Sequence, residues 1–229
     1  MKKIYKYNKD KFNLFSFIEF SDESLNPIFN VILNSKKVIS RKNFSILGGR
    51  AKIIVKSFPG IGMVVFKNYL RGGVISFFNK NYYLGGKKGI RPVNEIKFME
   101  KISKLGIPVP EPVAAFYKGN CIYQGGIITK YINNSYNMAQ YSIEKPDKCE
   151  EIFNDKFIQV FEKIIENKIY HPDFHPGNIL ISREEDIYVI DFDKAEFYSG
   201  LPFFLKEKMQ ERWNRGVKKH KLPSFLSIE

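Results

Sequence analysis

Acidic residues are missing from a long part of this chain: between Glu23 and Glu95 there is no aspartate or glutamate. Cysteine is scarce too, with Cys121 and Cys149 the only two in 229 residues. Two thiols build no disulfide framework and point to a reducing compartment. No apolar run approaches the roughly 18 residues that a membrane-spanning helix needs. The basic start, MKKIYKYNKDKFNLF, has no uninterrupted apolar segment behind it, so a secretion signal is not expected. Zinc-type spacing, internal repeats and low-complexity tracts are also lacking. These absences set aside secreted, membrane-spanning, repeat and zinc-module classes and leave a cytosolic globular protein.

What is present is basic and aromatic. Thirteen lysines and arginines fall in the acid-free segment, and the other 24 balance the 24 acids, so the net charge of +13 belongs to one segment. Such a field favours a polyanionic partner: a nucleotide, a nucleic acid or an anionic membrane surface. For any single lysine the simpler account is a solvated side chain. Apolar residues make up 44% of the chain, with 21 Phe and 13 Tyr, which is enough for a sizeable core and excludes disorder. The length allows one large domain or two small lobes around one cleft.

The stretch His171–Asp193, HPDFHPGNILISREEDIYVIDFD, organises the rest. Asp173 is followed five residues later by Asn178, and Asp191 follows thirteen residues after that. Two short apolar runs, Ile179-Leu180-Ile181 and Ile187-Tyr188-Val189-Ile190, are separated by Glu184, Glu185 and Asp186, which predicts a β-hairpin. Its two ends bring Asn178 close to Asp191. An amide oxygen and a carboxylate held together suit Mg²⁺, a hard cation that takes oxygen ligands and keeps phosphate partners. Asp173, on the preceding loop, is then placed to accept a proton from an attacking hydroxyl. The order H-x-D-x-x-x-x-N followed by D-F-x is the phosphoryl-transfer arrangement of protein kinases and their small-molecule relatives. A lone Asp or Asn here would be read as a solvated polar loop; three at this spacing argue for catalysis. His171 reads as a brace for the loop, and His175 as either a substrate contact or a packing residue.

The remaining elements fit around that stretch. Residues 1–35 carry weak signals and read as an N-terminal extension or cap. Strands are expected over Val38–Ser45, Ala51–Ser57 and Met63–Tyr69, broken by Gly48-Gly49 and by Pro59-Gly60. Gly48 and Gly49 are where glycine would let backbone N–H groups approach phosphate oxygens, although a glycine pair is also an ordinary turn. Lys67 ends a strand among apolar neighbours. Val93, Ile96, Met99 and Ile102 predict a helix that turns Glu95 toward the sheet, so Lys67–Glu95 is a candidate ion pair, with Glu100 as a competing acid. Between them, residues 70–91 are glycine-rich, basic and aromatic. Arg71, Lys87, Lys88 and Arg91 are candidates for holding an anionic substrate at a membrane surface. Two further strands, Val113–Tyr117 and Cys121–Tyr131, lead through Thr129, Lys130 and Tyr131 into a helical half, which is the place for a hinge whose backbone contacts adenine. Helices are expected at about 146–167, where the apolar stripe is core, and at about 204–219.

Beyond these motifs the sequence resembles the 3-deoxy-D-manno-octulosonic acid (Kdo) kinases of the lipopolysaccharide kinase family. The resemblance runs from about residue 44 to 216. It rests on NYLRGGVISFFNKNYYLGG (68–86), VNEIKFMEKISKLGIPVPEPVAA (93–115) and VIDFDKAEF (189–197). It implies an α+β, protein-kinase-like two-lobe fold: a β-rich ATP-binding lobe over 36–131 and a helical catalytic lobe over 132–229. It further implies ATP and Mg²⁺, and transfer of phosphate to the 4-hydroxyl of Kdo on an anionic lipid A precursor. Carried over residue by residue, Asp173 is the base, Asn178 and Asp191 hold the metal, and Lys67 and Glu95 form the phosphate-lysine pair. His-Pro-Gly before Asn178 is similar to aminoglycoside and choline phosphotransferases as well. Such an enzyme works at the cytoplasmic face of the inner membrane as a peripheral protein, with no nucleic-acid partner expected. Two rivals stay open: the same chemistry on a core heptose, an amino sugar or a protein hydroxyl, and a non-catalytic basic pseudokinase that binds lipid or nucleic acid.

Overall fold

A computed structural model describes residues 3–34, 53–69, 83–84, 89–119 and 122–229. The fold is α+β, and every strand pair among these residues is antiparallel. The chain divides into two compact units. One holds the described residues up to Lys97 together with Glu111–Tyr131; the other holds Phe98–Pro110 and Ile132–Glu229. No helix among the described residues is long and apolar enough to cross a membrane.

The first unit is built on one sheet. β1 (Tyr5–Lys9) and β2 (Phe12–Ser16) form a hairpin at its edge. After the helix α1 (Asp22–Asn34) come β3 (Ile53–Phe58), β4 (Gly62–Asn68) and the short β5 (Tyr83–Leu84). α2 (Arg91–Ser103) precedes β6 (Pro112–Lys118) and β7 (Ile122–Lys130). The strand order is β1-β2-β6-β7-β4-β3, with β5 pairing the start of β7.

Period-two alternation along β4 decides what each face does. Val64 and Phe66 are buried in one cluster with Ile28, Phe29 and Ile32 of α1 and Phe116 and Ile128 of the sheet. Lys67 falls on the opposite face and meets Glu95 of α2. β7 can run between β4 and β6 here because residue 126 is glycine: a Cβ would stand 2.2 Å from the Lys67 carbonyl oxygen and 2.7 Å from the Phe116 ring.

The strands expected at 51–57, 63–69, 113–117 and 121–131 and the helix around Glu95 are present as β3, β4, β6, β7 and α2. The strand expected over Val38–Ser45 and the Gly48-Gly49 turn lie outside the described residues. So do three of the candidate substrate cations, Arg71, Lys87 and Lys88. Within residues 1–35, read from sequence as an N-terminal extension or cap, residues 5–34 are built into the sheet and its core.

The second unit begins with β8 (Tyr136–Asn137) and α3 (Met138–Glu144), which is capped by the Asn137 side chain accepting from the Gln140 N–H at 2.9 Å. The single helix expected over 146–167 is a continuous rod of three pieces. They are α4 (Pro146–Ile152), a π-helical turn at Phe153–Phe157 and α5 (Ile158–Glu166). Its apolar stripe is core, as expected: Phe153, Phe157 and Phe161 are buried and stack against Phe174 and Trp213. β9 (Ile169–Tyr170) leads into the His171 loop. β10 (Ile179–Ile181) and β11 (Ile187–Val189) form the predicted hairpin, and β8 adds a third strand. After β12 (Glu196–Phe197), which pairs with β9, α6 (Pro202–Lys219) closes the unit.

Leu205, Met209, Trp213 and Val217 form the buried stripe of α6. Its first turn departs from that pattern. Leu201, Phe203 and Phe204 are 64%, 65% and 54% exposed, so an apolar tip stands in solvent where a helix more often starts with polar residues.

Candidate active site

Two groups of the sequence-derived residues come together, one in each unit. In the first, the Lys67 Nζ stands 3.8 Å from Glu95 Oε1. The Glu95 carboxylate is buried, and the phenol of Tyr69 donates to its Oε2. Glu100, the competing acid, instead pairs with Lys104 one helical turn away, at 2.9 Å. Tyr69 was not among the sequence candidates, although a signal for it existed. It stands two residues beyond Lys67, so the strand period puts both on one face. Removing a carboxylate from water is unfavourable unless cations and donors replace the lost solvent. Lys67 and Tyr69 supply that replacement, and Glu95 in turn fixes the lysine head.

Arg91 opens α2. Its backbone N–H donates to the Tyr123 hydroxyl at 3.1 Å, and its guanidinium lies 5.8 Å from the Tyr69 ring centre. Thr129 is buried in β7 between β4 and β6. The Lys130 and Tyr131 N–H groups donate to the Glu111 and Met63 carbonyls, at 2.9 and 3.1 Å, and the Lys130 ammonium donates to the Ile61 carbonyl. The Lys130 and Tyr131 N–H groups of the expected hinge are therefore engaged within the first unit.

In the second unit the His171–Asn178 loop is held by its own backbone and by its aromatic residue. Phe174 is fully buried between Phe157, Phe161 and Trp213, so the residues on either side of it, Asp173 and His175, are fixed by a core anchor. Asn178 donates from Nδ2 to the Asp173 carbonyl at 2.8 Å. That bond assigns the amide orientation and leaves Oδ1 as the acceptor Asn178 offers. The Ile190 N–H donates to the Asn178 carbonyl at 3.0 Å, which draws the exit of the hairpin to its entrance. Asp191 follows directly, with φ of +70°, a left-handed backbone that aspartate tolerates better than most residues.

His171 is buried, and its Nε2 lies 3.0 Å from the Ile190 carbonyl, so it braces the loop against the hairpin exit. Donation to a carbonyl requires the proton on Nε2. Burial lowers the imidazole pKa, against the opposing pull of the Ile190 carbonyl and the Asp191 and Asp173 charges. The pKa of His175 is pushed down to about 4, by burial first and by the Arg212 guanidinium second. Its Nδ1 accepts the Gly177 N–H at 3.1 Å, so it too is packed and neutral at pH 7.

One residue of this site is not legible from sequence. Arg212, on α6, donates from Nε to the Pro172 carbonyl at 3.0 Å and from Nη2 to Asp173 Oδ1 at 3.1 Å. It lies 39 residues from Asp173, and no spacing rule connects the two. The approach depends on Gly216, one turn further along α6, where a Cβ would stand 3.0 Å from the His175 Cβ.

Among the described residues no group of three or more His, Cys, Asp or Glu side chains forms a metal cage. An Asn–Asp pair still fits Mg²⁺, which is commonly bound by one or two carboxylates and completed by water and substrate phosphates. The Asn178 oxygen left by its fixed amide and the Asp191 carboxylate are donors of that kind.

Comparison with known proteins points to a kinase family. The model of the lipopolysaccharide kinase (Kdo/WaaP) family matches residues 50–203. A 3-deoxy-D-manno-octulosonic acid kinase of Vibrio parahaemolyticus is 29% identical over 158 residues, 68% of this chain and 65% of its own. The kinase of the same name from Xylella fastidiosa is 27% identical over 149 residues, 64% and 57% of the two chains. That of Vibrio cholerae is 25% identical over 161 residues, 69% and 63%. The chain thus spans less than two thirds of the length of these relatives. The family match covers more than half of the chain and includes Lys67, Glu95 and the whole His171–Asp193 stretch, and the protein belongs to the lipopolysaccharide kinase (Kdo/WaaP) family.

Proposed function

We propose that the protein is an ATP-dependent kinase that phosphorylates the 4-hydroxyl of a Kdo sugar on a lipid A precursor. The observation that carries this reading is the Asp173 loop. A carboxylate about half exposed sits on a loop locked by Phe174 and Asn178, next to a hairpin exit that presents Asp191. The names of the relatives supply the acceptor.

In this reading nucleotide binding belongs to residues 36–131 and catalysis to residues 132–229 of one kinase-like domain. Lys67, held by Glu95 and Tyr69, contacts the phosphates of ATP and offsets their charge. The acceptor hydroxyl oxygen attacks the γ-phosphorus, the bond to the β,γ-bridging oxygen breaks, and ADP leaves. Asp173 orients the hydroxyl and takes its proton, a role typically worth about 10²–10⁴ in rate. Asn178 and Asp191 would hold Mg²⁺, which when bound supplies positive charge at the phosphates.

The acceptor is an anionic amphiphile, and the reading places the protein peripherally on the cytoplasmic face of the inner membrane. The exposed aromatic tip of α6 and the acid-free basic segment support that placement, since interfacial aromatic and basic residues together favour anionic bilayers.

The test is incubation with labelled ATP, Mg²⁺ and a Kdo-bearing lipid A precursor. Label in the lipid is expected with the wild type and not with Asp173→Asn, whose fold should be unchanged. Label on another acceptor, with none on Kdo, would keep the chemistry and discard the substrate. Full turnover by Asp173→Asn would overturn the assigned base.

A further inference from the structure

We infer that Arg212 is the residue that recognises the carboxylate of the sugar-acid acceptor. The inference rests on the function proposed above and adds a binding residue from a helix outside the catalytic motif.

The guanidinium carries five N–H donors in a planar fork. Two are used inside the protein, Nε on the Pro172 carbonyl and one Nη2 hydrogen on Asp173 Oδ1. The other three have no partner among the described residues. They belong to a side chain that remains 31% exposed, beside an Asp173 side chain that is 51% exposed. Both groups are therefore open to the same ligand. The two protein bonds hold the fork rigidly, and a fixed fork presents parallel donors that match a carboxylate.

The surrounding charge fits an anion. His175 and His220 both feel the positive charge of Arg212, which places them near it, and both are neutral at pH 7. Asp173 is the acid paired with the guanidinium. Arg212 and Gly216 are four residues apart and share a helix face, the face that packs closely on the catalytic loop. The position is thus built into how α6 docks.

The chemistry of the acceptor matches the spacing. In a 3-deoxy-2-octulosonic acid the carboxyl carbon and the 4-oxygen are joined through four single bonds, so they lie at most about 5 Å apart. An acceptor whose hydroxyl rests on Asp173 therefore brings its carboxylate within reach of the neighbouring guanidinium. Neutral sugars lack that group.

The experiment compares two acceptors and three proteins. The acceptors are the Kdo-bearing lipid A precursor and the same molecule with its Kdo carboxylate as the methyl ester. The proteins are wild type, Arg212→Met and Arg212→Lys. Wild type should lose roughly 10- to 100-fold in kcat/KM on the ester, the range for one charge-assisted interaction. Arg212→Met should lose roughly 10- to 100-fold more on the carboxylate acceptor than on the ester, the excess appearing chiefly in KM, while the loss common to both acceptors reports its bonds to Asp173 and Pro172. Arg212→Lys should recover part of the loss on the carboxylate acceptor only. Equal losses for Arg212→Met on both acceptors would overturn the proposal and leave Arg212 as a residue that only positions Asp173. Indifference of wild type to esterification would overturn it without any variant. Wild type that labels no Kdo acceptor but labels another would remove the proposed substrate, and this inference with it.

Discussion

Asp191 combines two demands in one side chain. Its backbone is left-handed, at φ +70°, and its carboxylate is the candidate metal ligand at the hairpin exit. Asparagine tolerates the same backbone, so Asp191→Asn separates charge from conformation. The variant should fold like the wild type while its Mg²⁺-dependent gain in nucleotide affinity falls by roughly tenfold or more, the loss of one charged ligand. The check is nucleotide affinity measured across a Mg²⁺ titration; an unchanged titration would defeat the assignment. Most of the grouping at this scale could be read from sequence, because Asp173, Asn178 and Asp191 lie within 19 positions and one loop and hairpin bring them together. Lys67 and Glu95 were legible through strand and helix periods, and Tyr69 follows from the same period. Arg212 is different. Its relation to Asp173 arises only when α6 packs on the loop, and nothing local in the sequence records that packing.

The same contrast holds for whole elements. The β10–β11 hairpin, α2 and α6 announce themselves through apolar period and turn residues. The N-terminal elements do not, for identifiable reasons. The β1–β2 turn is made by Asp10 and Lys11, both with positive φ (51° and 68°), with no glycine to signal a two-residue hairpin turn. α1 carries Pro27 in its interior, which removes a helical hydrogen bond and weakens the helix pattern. Packing outweighs both handicaps, since Ile28, Phe29 and Ile32 are almost fully buried in the sheet's cluster. Phe29→Ala should accordingly lower stability by about 3–5 kcal/mol, the usual cost of emptying a buried phenylalanine site. Denaturant unfolding reads this directly. A change of only a few tenths would mean that residues 1–34 are an appendage after all.

At the scale of the molecule, the excess charge and the apolar tip of the closing helix belong to different stretches of the chain. The net charge of +13 arises from the segment between Glu23 and Glu95, whereas the apolar tip Leu201–Phe204 opens the closing helix. Composition made the first legible. The second was not legible, because nothing in the sequence around Phe203 and Phe204 separates them from buried phenylalanines, and only the structure leaves them in solvent. Binding to vesicles containing anionic lipid should therefore have two parts. One falls as salt rises, because exposed charges are screened. The other is lost in the double variant Phe203→Ser/Phe204→Ser, by roughly 30-fold for two half-buried rings. Co-sedimentation at two salt concentrations separates them, and equal binding by the double variant would exclude the tip as a contact.

The tip and Arg212 stand on one rigid helix. Phe204 precedes Arg212 by eight residues, which is about 12 Å along the axis. If the proposed kinase is seated in a bilayer by that tip, the helix length would set a ruler: the greatest height above the surface at which Arg212 can stand. Glycolipids would then be sorted by how far their acidic sugar stands above the bilayer, as well as by which sugar it is. Lengthening α6 by one turn between Phe204 and Arg212 would reset that height without touching any group that performs the chemistry.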